Sequence, residues 1–222
     1  MTLTNRPVIV TGAAGRLGRV VTAQLSEAGA RVQALDHHEP DELPPRTHFY
    51  EVDLTHESSV KAAIAAAAAD GLWGLVHTVG MWDGAPLVET SLSDWVRVLD
   101  VNLTSAFLAT REAVRRMDGR GRIVCIASRQ GADGAPAEQA AYAASKAGVI
   151  RLVEATNAEV GPRDGEGGIA AVALAPSTIL FGDEPEDAAG VAVGTVAERC
   201  VELCGELGAE HAGETLRIYG TG

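Results

Sequence analysis

Short apolar runs alternate with longer amphipathic stretches along the chain, and this alternation predicts its elements. Residues 8–10 read as a buried strand, and 17–28 as a helix stopped by Gly29. Strands follow at 31–36 and 48–53, then a helix through the alanine run, then a strand at 72–79. A long helix is expected over 92–117, a strand over 121–127, a second long helix over 138–160 and a strand over 169–175. A helix at 191–207 and a strand at 215–219 close the pattern. The segment between the strand at 169–175 and the helix at 191–207, residues 177–190, is acidic and lacks helical period.

Several strands are unbroken apolar runs, such as Ile123-Val124-Cys125-Ile126. Such strands are buried on both faces, and helices between them act as crossovers of a parallel sheet. The expected fold class is α/β: a single-domain, doubly wound parallel sheet of about seven strands, Rossmann-like, with helices on both faces. No repeat or linker divides residues 1–222, so one domain is expected to hold both the cofactor and the catalytic site.

Charge and composition narrow the partners. A formal net charge of -12 repels phosphate backbones and anionic lipid, so neither nucleic acid nor a membrane is an expected partner. No apolar leader precedes the first strand, and the longest apolar run, 62–69, is too short to span a bilayer. A cytoplasmic location follows as an expectation. Cys125, Cys200 and Cys204 form no disulfide framework or metal set and read as small buried hydrophobes, so no metal is expected.

The first strand runs into Thr11-Gly12-Ala13-Ala14-Gly15-Arg16-Leu17-Gly18. Gly12 permits a tight turn, Gly15 lets backbone approach a pyrophosphate, and Gly18 allows close helix–sheet packing. The helix starting at Arg16 and Leu17 offers unpaired N–H groups to that phosphate. Asp36, at the end of the second strand, can accept hydrogen bonds from an adenosine ribose and repels a 2′-phosphate. NAD is therefore expected over NADP, with Arg16 as the residue that could reverse the preference.

Tyr142 and Lys146 stand four apart on a predicted helix and share a face. An ammonium beside a phenol favours the phenolate, which makes the tyrosine a usable acid/base. Lys146 is one of only two lysines, the other being Lys61, so it is no incidental cation in a chain that otherwise uses arginine. Ser128 follows the fifth strand at its carboxyl end, where ligands bind in open parallel sheets. Asn102 sits inside the first long helix, a position that suggests a purpose for its side chain, such as holding a water that relays protons to Lys146.

With these residues the chain resembles the short-chain dehydrogenase/reductase family over essentially its whole length. The fragment 79–84 and the terminal Ile218-Tyr219-Gly220 are similar to its dihydropteridine reductase-like branch. The resemblance implies a catalytic set of Asn102, Ser128, Tyr142 and Lys146. It implies Asp53 and Leu54 at the adenine, and Gly80, Pro176, Thr178 and Ile179 around the nicotinamide. It further implies an NAD(P)-dependent oxidoreductase that exchanges hydride with a ketone or alcohol among small-molecule substrates, assembled as a homotetramer or homodimer. A non-redox lyase or cyclase, or a cofactor-binding scaffold, is the alternative the same scaffold allows. Several positions depart from the family pattern. The middle glycine comes one position early, and His77-Thr78-Val79-Gly80 replaces Asn-Asn-Ala-Gly. Ser177 follows Pro176 where glycine is usual, and the Ser128–Tyr142 gap is one residue longer. The short segment 177–190 predicts a mobile lid and an open cleft walled by Trp82, Gln130, Ile179 and Phe181.

Overall fold

The computed structural model describes residues 3–163, 167–185 and 187–220. Its first half runs β1 (Pro7–Thr11), α1 (Arg16–Glu27), β2 (Arg31–Asp36), β3 (Thr47–Glu51), α2 (Glu57–Ala67) and β4 (Gly74–His77). Next come α3 (Leu92–Leu99), a π-helical turn (Asp100–Thr104) and α4 (Ser105–Val114), without interruption. They are followed by β5 (Gly121–Ile126), α5 (Arg129–Ala132), α6 (Ala140–Val160) and β6 (Ile169–Pro176). The last elements are β7 (Ile179–Leu180), β8 (Val191–Ala192), α7 (Val193–Leu203), α8 (Leu207–Glu210) and β9 (Thr215–Ile218).

Seven strands form one sheet in the order β3-β2-β1-β4-β5-β6-β9, every neighbouring pair parallel. This is the expected doubly wound α/β sheet. Alternate strand residues feed two cores. Ile9, Leu75, Ile123 and Ala171 pack with Ile64, Ala109 and Val149 on one face, while Val10, Val76, Val124 and Val172 meet Val21, Leu25 and Cys200 on the other. All eight residues of β6 are buried, which explains why it reads as a continuous apolar run. The strand order reverses between β1 and β4, and a crevice opens there at the carboxyl ends.

The element boundaries differ from the periodicity reading in particular places. The third strand stops at Glu51 rather than running through Asp53, because Asp53 Oδ1 turns back to accept from the Thr55 N–H (2.9 Å) and hydroxyl (2.6 Å). The fourth strand covers only Gly74–His77 of the expected 72–79. The helix expected over 92–117 is interrupted by the π turn and ends at Val114. The second long helix begins at Ala140 instead of 138, since Glu138 adopts φ +65°. Val191–Ala192 starts the last long helix as a strand, paired with Ile179–Leu180, so the segment expected to be irregular is tied at its base. Helix α5 had no counterpart in the periodicity. Glu186, in the acidic segment, lies outside the described residues.

His77 closes β4 inside the core, 1% exposed. Its Nδ1 lies 2.8 Å from the Thr11 hydroxyl and its Nε2 3.3 Å from that of Ser105. The Ser105 hydroxyl donates to the Val101 carbonyl (2.5 Å), so Nε2 carries the ring proton and Nδ1 accepts from Thr11. Burial first, and the charge of Lys146 second, pull the His77 pKa down to about 3. The imidazole is therefore neutral and structural, not a base.

A folded-state pKa below the unfolded one means the unfolded chain takes up this proton first as pH falls. The contribution of neutral His77 is complete above its unfolded value of 6.5 and is lost toward about 3. Stability of the wild type should fall faster on acidification than that of His77→Gln. Unfolding free energies from urea denaturation at pH 7 and pH 4 are expected to show the gap between them narrowing by about 3 kcal/mol.

Candidate active site

The crevice at the carboxyl ends of the strands is a cleft of about 900 Å3. It brings together Gly12, Gly15, Arg16, Leu17, Gly18, Asp36, Asp53, Leu54, Gly80, Tyr142, Lys146, Pro176, Thr178 and Ile179. Trp82, Gln130 and Phe181 also wall it, as expected. Asn102 and Ser128 lie just behind this wall, both buried.

The glycine turn is shaped by close approach. Gly12 has φ +73°, and a Cβ there would stand 2.8 Å from the Thr78 hydroxyl oxygen. A Cβ on Gly18 would fall 1.9 Å from the Gly12 carbonyl oxygen. Helix α1 starts after Gly15 with no side-chain cap and no acidic residue in its first turn. Its leading N–H groups and positive dipole end thus face the cleft without an internal anion. Such a cradle fits a diphosphate.

Asp36 is 5% exposed at the end of β2. Its Oδ2 accepts from the Ala14 N–H (2.9 Å) and its Oδ1 from the His37 N–H (2.7 Å), which fixes the carboxylate against the glycine turn. Among the described residues Arg16 makes no ion pair with Asp36. Its guanidinium pairs with Asp183 (2.5 Å) and lies 4.0 Å over the Phe181 ring. Glu184 accepts from the N–H groups of Phe181 and Gly182, so this part of the 177–190 segment folds onto the glycine turn. Asp53 is exposed, its pKa lowered first by the Thr55 hydroxyl, and it also pairs with His56 at 2.8 Å.

Lys146 and Tyr142 project from one face of α6. Lys146 is 4% exposed and donates to the Ile126 carbonyl (2.8 Å) at the end of β5. Burial brings its pKa down to about 8. The loop passes so close that a Cβ on Gly80 would stand 3.0 Å from Lys146 Nζ and 3.4 Å from Asn102 Oδ1. The expected lowering of the Tyr142 phenol by Lys146 is not found. Burial raises the phenol pKa, and the nearby Ser128 hydroxyl draws it partly back down. The lysine proton is directed to the backbone of β5 instead.

Ser128 caps α5 and donates its hydroxyl proton to Gln130 Oε1, a pairing that no motif or periodicity signals. Asn102 sits in the π turn rather than in regular helix. Its Oδ1 accepts from the Met81 N–H (2.7 Å), and its Nδ2 donates to the Met81 carbonyl (3.0 Å) and the Ser145 hydroxyl (2.9 Å). It works as a clamp between α6 and the loop after β4. Two further residues, His37 and His38, line the cleft beside Asp36. Sequence reasoning passed over them because adjacent residues at a strand end carry no spacing signal.

Comparisons with known proteins agree on one family. Residues 6–182 match the family described as short chain dehydrogenase. Nodulation protein G of Rhizobium sp. (strain N33) is 32% identical, aligned over 98% of this chain and 97% of its own. A 2-dehydro-3-deoxy-L-rhamnonate dehydrogenase (NAD(+)) of Sphingomonas sp. (strain SKA58) is 36% identical over 78% of this chain and 72% of its own. Among solved structures, a short chain dehydrogenase from Mycobacterium smegmatis superposes with a TM-score of 0.84 at 29% identity, covering 99% of this chain and 94% of that one.

The clamp generates a stability prediction. Asn102→Ala strands the backbone N–H and carbonyl of Met81 and leaves the Ser145 hydroxyl with only its bond to the Tyr142 carbonyl. A loss of about 1–3 kcal/mol is expected in chemical denaturation, the range for buried polar groups left without partners.

Proposed function

Since the chain belongs to the short-chain dehydrogenase/reductase family, we propose that it is an NAD-dependent oxidoreductase acting on an uncharged ketone or the corresponding alcohol. The observation that carries this reading is the single cleft that holds the glycine turn, Asp36, Tyr142 and Lys146 together.

Gly12, Gly15 and the start of α1 would hold the pyrophosphate of the dinucleotide, Asp36 its adenosine ribose, and Thr178 and Ile179 its nicotinamide end. When bound, that group supplies or accepts the hydride. The remaining chemistry belongs to the chain. Burial keeps the Tyr142 phenol protonated at neutral pH, which suits proton donation to a carbonyl oxygen. Ser128 orients that oxygen from the side of Gln130. Lys146, with a pKa near 8, sits where it can hold a ribose hydroxyl and influence the phenol. Asn102 keeps the Gly80–Met81 backbone in place around the amine.

NAD is favoured over NADP by two observations. The Asp36 carboxylate is buried and fixed, so a 2′-phosphate would meet it at close range. Arg16, the cation that could answer that phosphate, is committed to Asp183. The name of the Sphingomonas relative also specifies NAD. The substrate is uncharged because the lid carries Asp183 and Glu184 and neither Arg16 nor Lys146 is free for an anion. Segment 177–190 serves as a short lid and leaves the cleft open to bulky substrates. Val96 and Phe107 on α3 and α4 are exposed, in keeping with a homodimer or homotetramer paired through these helices. No helix among the described residues is long and apolar enough to cross a membrane.

Tyr142→Phe is expected to lower ketone reduction by roughly 10²–10⁴-fold while leaving NADH binding intact. Retention of a tenth of the wild-type rate would remove Tyr142 from its role. Steady-state kinetics with both reduced cofactors should give the higher kcat/KM for NADH, and a preference for NADPH would overturn the assignment of Asp36.

A further inference from the structure

Three ligand-type side chains follow one another where β2 ends: Asp36, His37 and His38. The geometry points to a binding site here for a divalent transition-metal ion of the zinc or cobalt class, placed so that the ion and a nucleotide compete for Asp36. The competition rests on the cofactor reading above; the metal site does not.

The carboxylate is preorganised. Two backbone N–H groups, of Ala14 and His37, hold its oxygens at 2.9 and 2.7 Å, so it cannot swing away from the histidines. His37 Nδ1 is 2.6 Å and His38 Nδ1 3.9 Å from Asp36 Oδ1. His38 Nδ1 is also 3.1 Å from His37 Nε2. One ligand atom from each residue falls within 4.8 Å of the others. Ligands that share a tetrahedral ion at bonds near 2.1 Å stand about 3.4 Å apart. The spacings of His38 Nδ1 to its two neighbours bracket that value; the 2.6 Å contact of His37 Nδ1 with Asp36 Oδ1 is closer than a shared ion allows, so rotation of the exposed His37 ring, which breaks that contact, completes the set. The rings meet edge to face, with centroids 4.5 Å apart and planes at 72°, so they do not stack parallel.

The donor chemistry selects the ion. Two imidazoles and one carboxylate suit zinc, cobalt, nickel or copper and not magnesium or calcium, which require oxygen ligands. The histidine side chains are 77% and 55% exposed, so ligation needs little desolvation and water can fill the remaining positions. A chain of net charge -12 also gathers cations. All three residues line the same cleft as the glycine turn, which is why an ion on Asp36 blocks a ribose there.

Co2+ titration of the full chain, followed by visible absorption, tests this. One ion per chain is expected, with affinity at least tenfold weaker in both His37→Gln and His38→Gln. Both side chains are exposed, and unchanged circular dichroism would show that the variants fold. NADH is expected to raise the apparent Kd for Co2+. Binding that neither substitution alters would overturn the site, and Co2+ affinity that saturating NADH leaves unchanged would overturn the competition. Co2+ binding lost in the variants, with no NADH binding to any form, would support the metal site and sink the nucleotide reading instead.

Discussion

The contact on which this structure turns is the one between the Gly12 carbonyl and Gly18. A single methyl group on residue 18 would sit 1.9 Å from that oxygen, well inside any allowed separation. Because it is absent, α1 packs directly behind the β1 turn. Its open N-terminus then points into the cleft rather than over it. The positive φ of Gly12 turns the chain back so that Ala14 N–H meets Asp36. Turn, helix start and the end of β2 are thus one mechanical unit, and the far wall of the cleft is assembled against it.

That far wall depends on a second tight place. The π turn adds a residue to the helical course at Asp100–Thr104 and carries Asn102 inward. From there Asn102 reaches across to Met81 and Ser145, joining the loop after β4 to α6. Gly80 leaves just enough room for the Lys146 amine to pass to Ile126. The lysine is therefore held by the backbone of β5 on one side and by a clamped loop on the other. Its loss of basicity follows from that enclosure and not from any cationic neighbour.

Much of this was legible in the chain. Parallel strands buried on both faces announce themselves as apolar runs, and β5 and β6 do so without ambiguity. The glycine turn, Asp36 and the Tyr142–Lys146 pair were visible because each is marked by short local spacing or by the end of a predicted strand, and all of them do line one cleft. What escaped depends on contacts between elements. The π turn leaves no mark on hydrophobic period, since it only shifts the phase of a helix by one residue. The pairing of Ile179–Leu180 with Val191–Ala192 joins short segments ten residues apart, below what alternation can register. The fate of Arg16 was decided by Asp183, far along the chain. The phenol of Tyr142 responds to burial, a property of the assembled site, whereas the spacing to Lys146 spoke only of charge.

The hydrogen-bonded column of Thr11, His77 and Ser105 also bears on how such a chain can drift. Each member completes the valence of the next, and the column ends on the Val101 carbonyl. Replacing any one by an apolar residue leaves a polar atom of another enclosed without a partner. Single steps away from this arrangement are disfavoured, while a joint change of two members can restore the balance. The three positions, from two strands and a helix, form one heritable character. A sister lineage with a different side chain at 77 would be expected to carry altered residues at 11 or 105 as well.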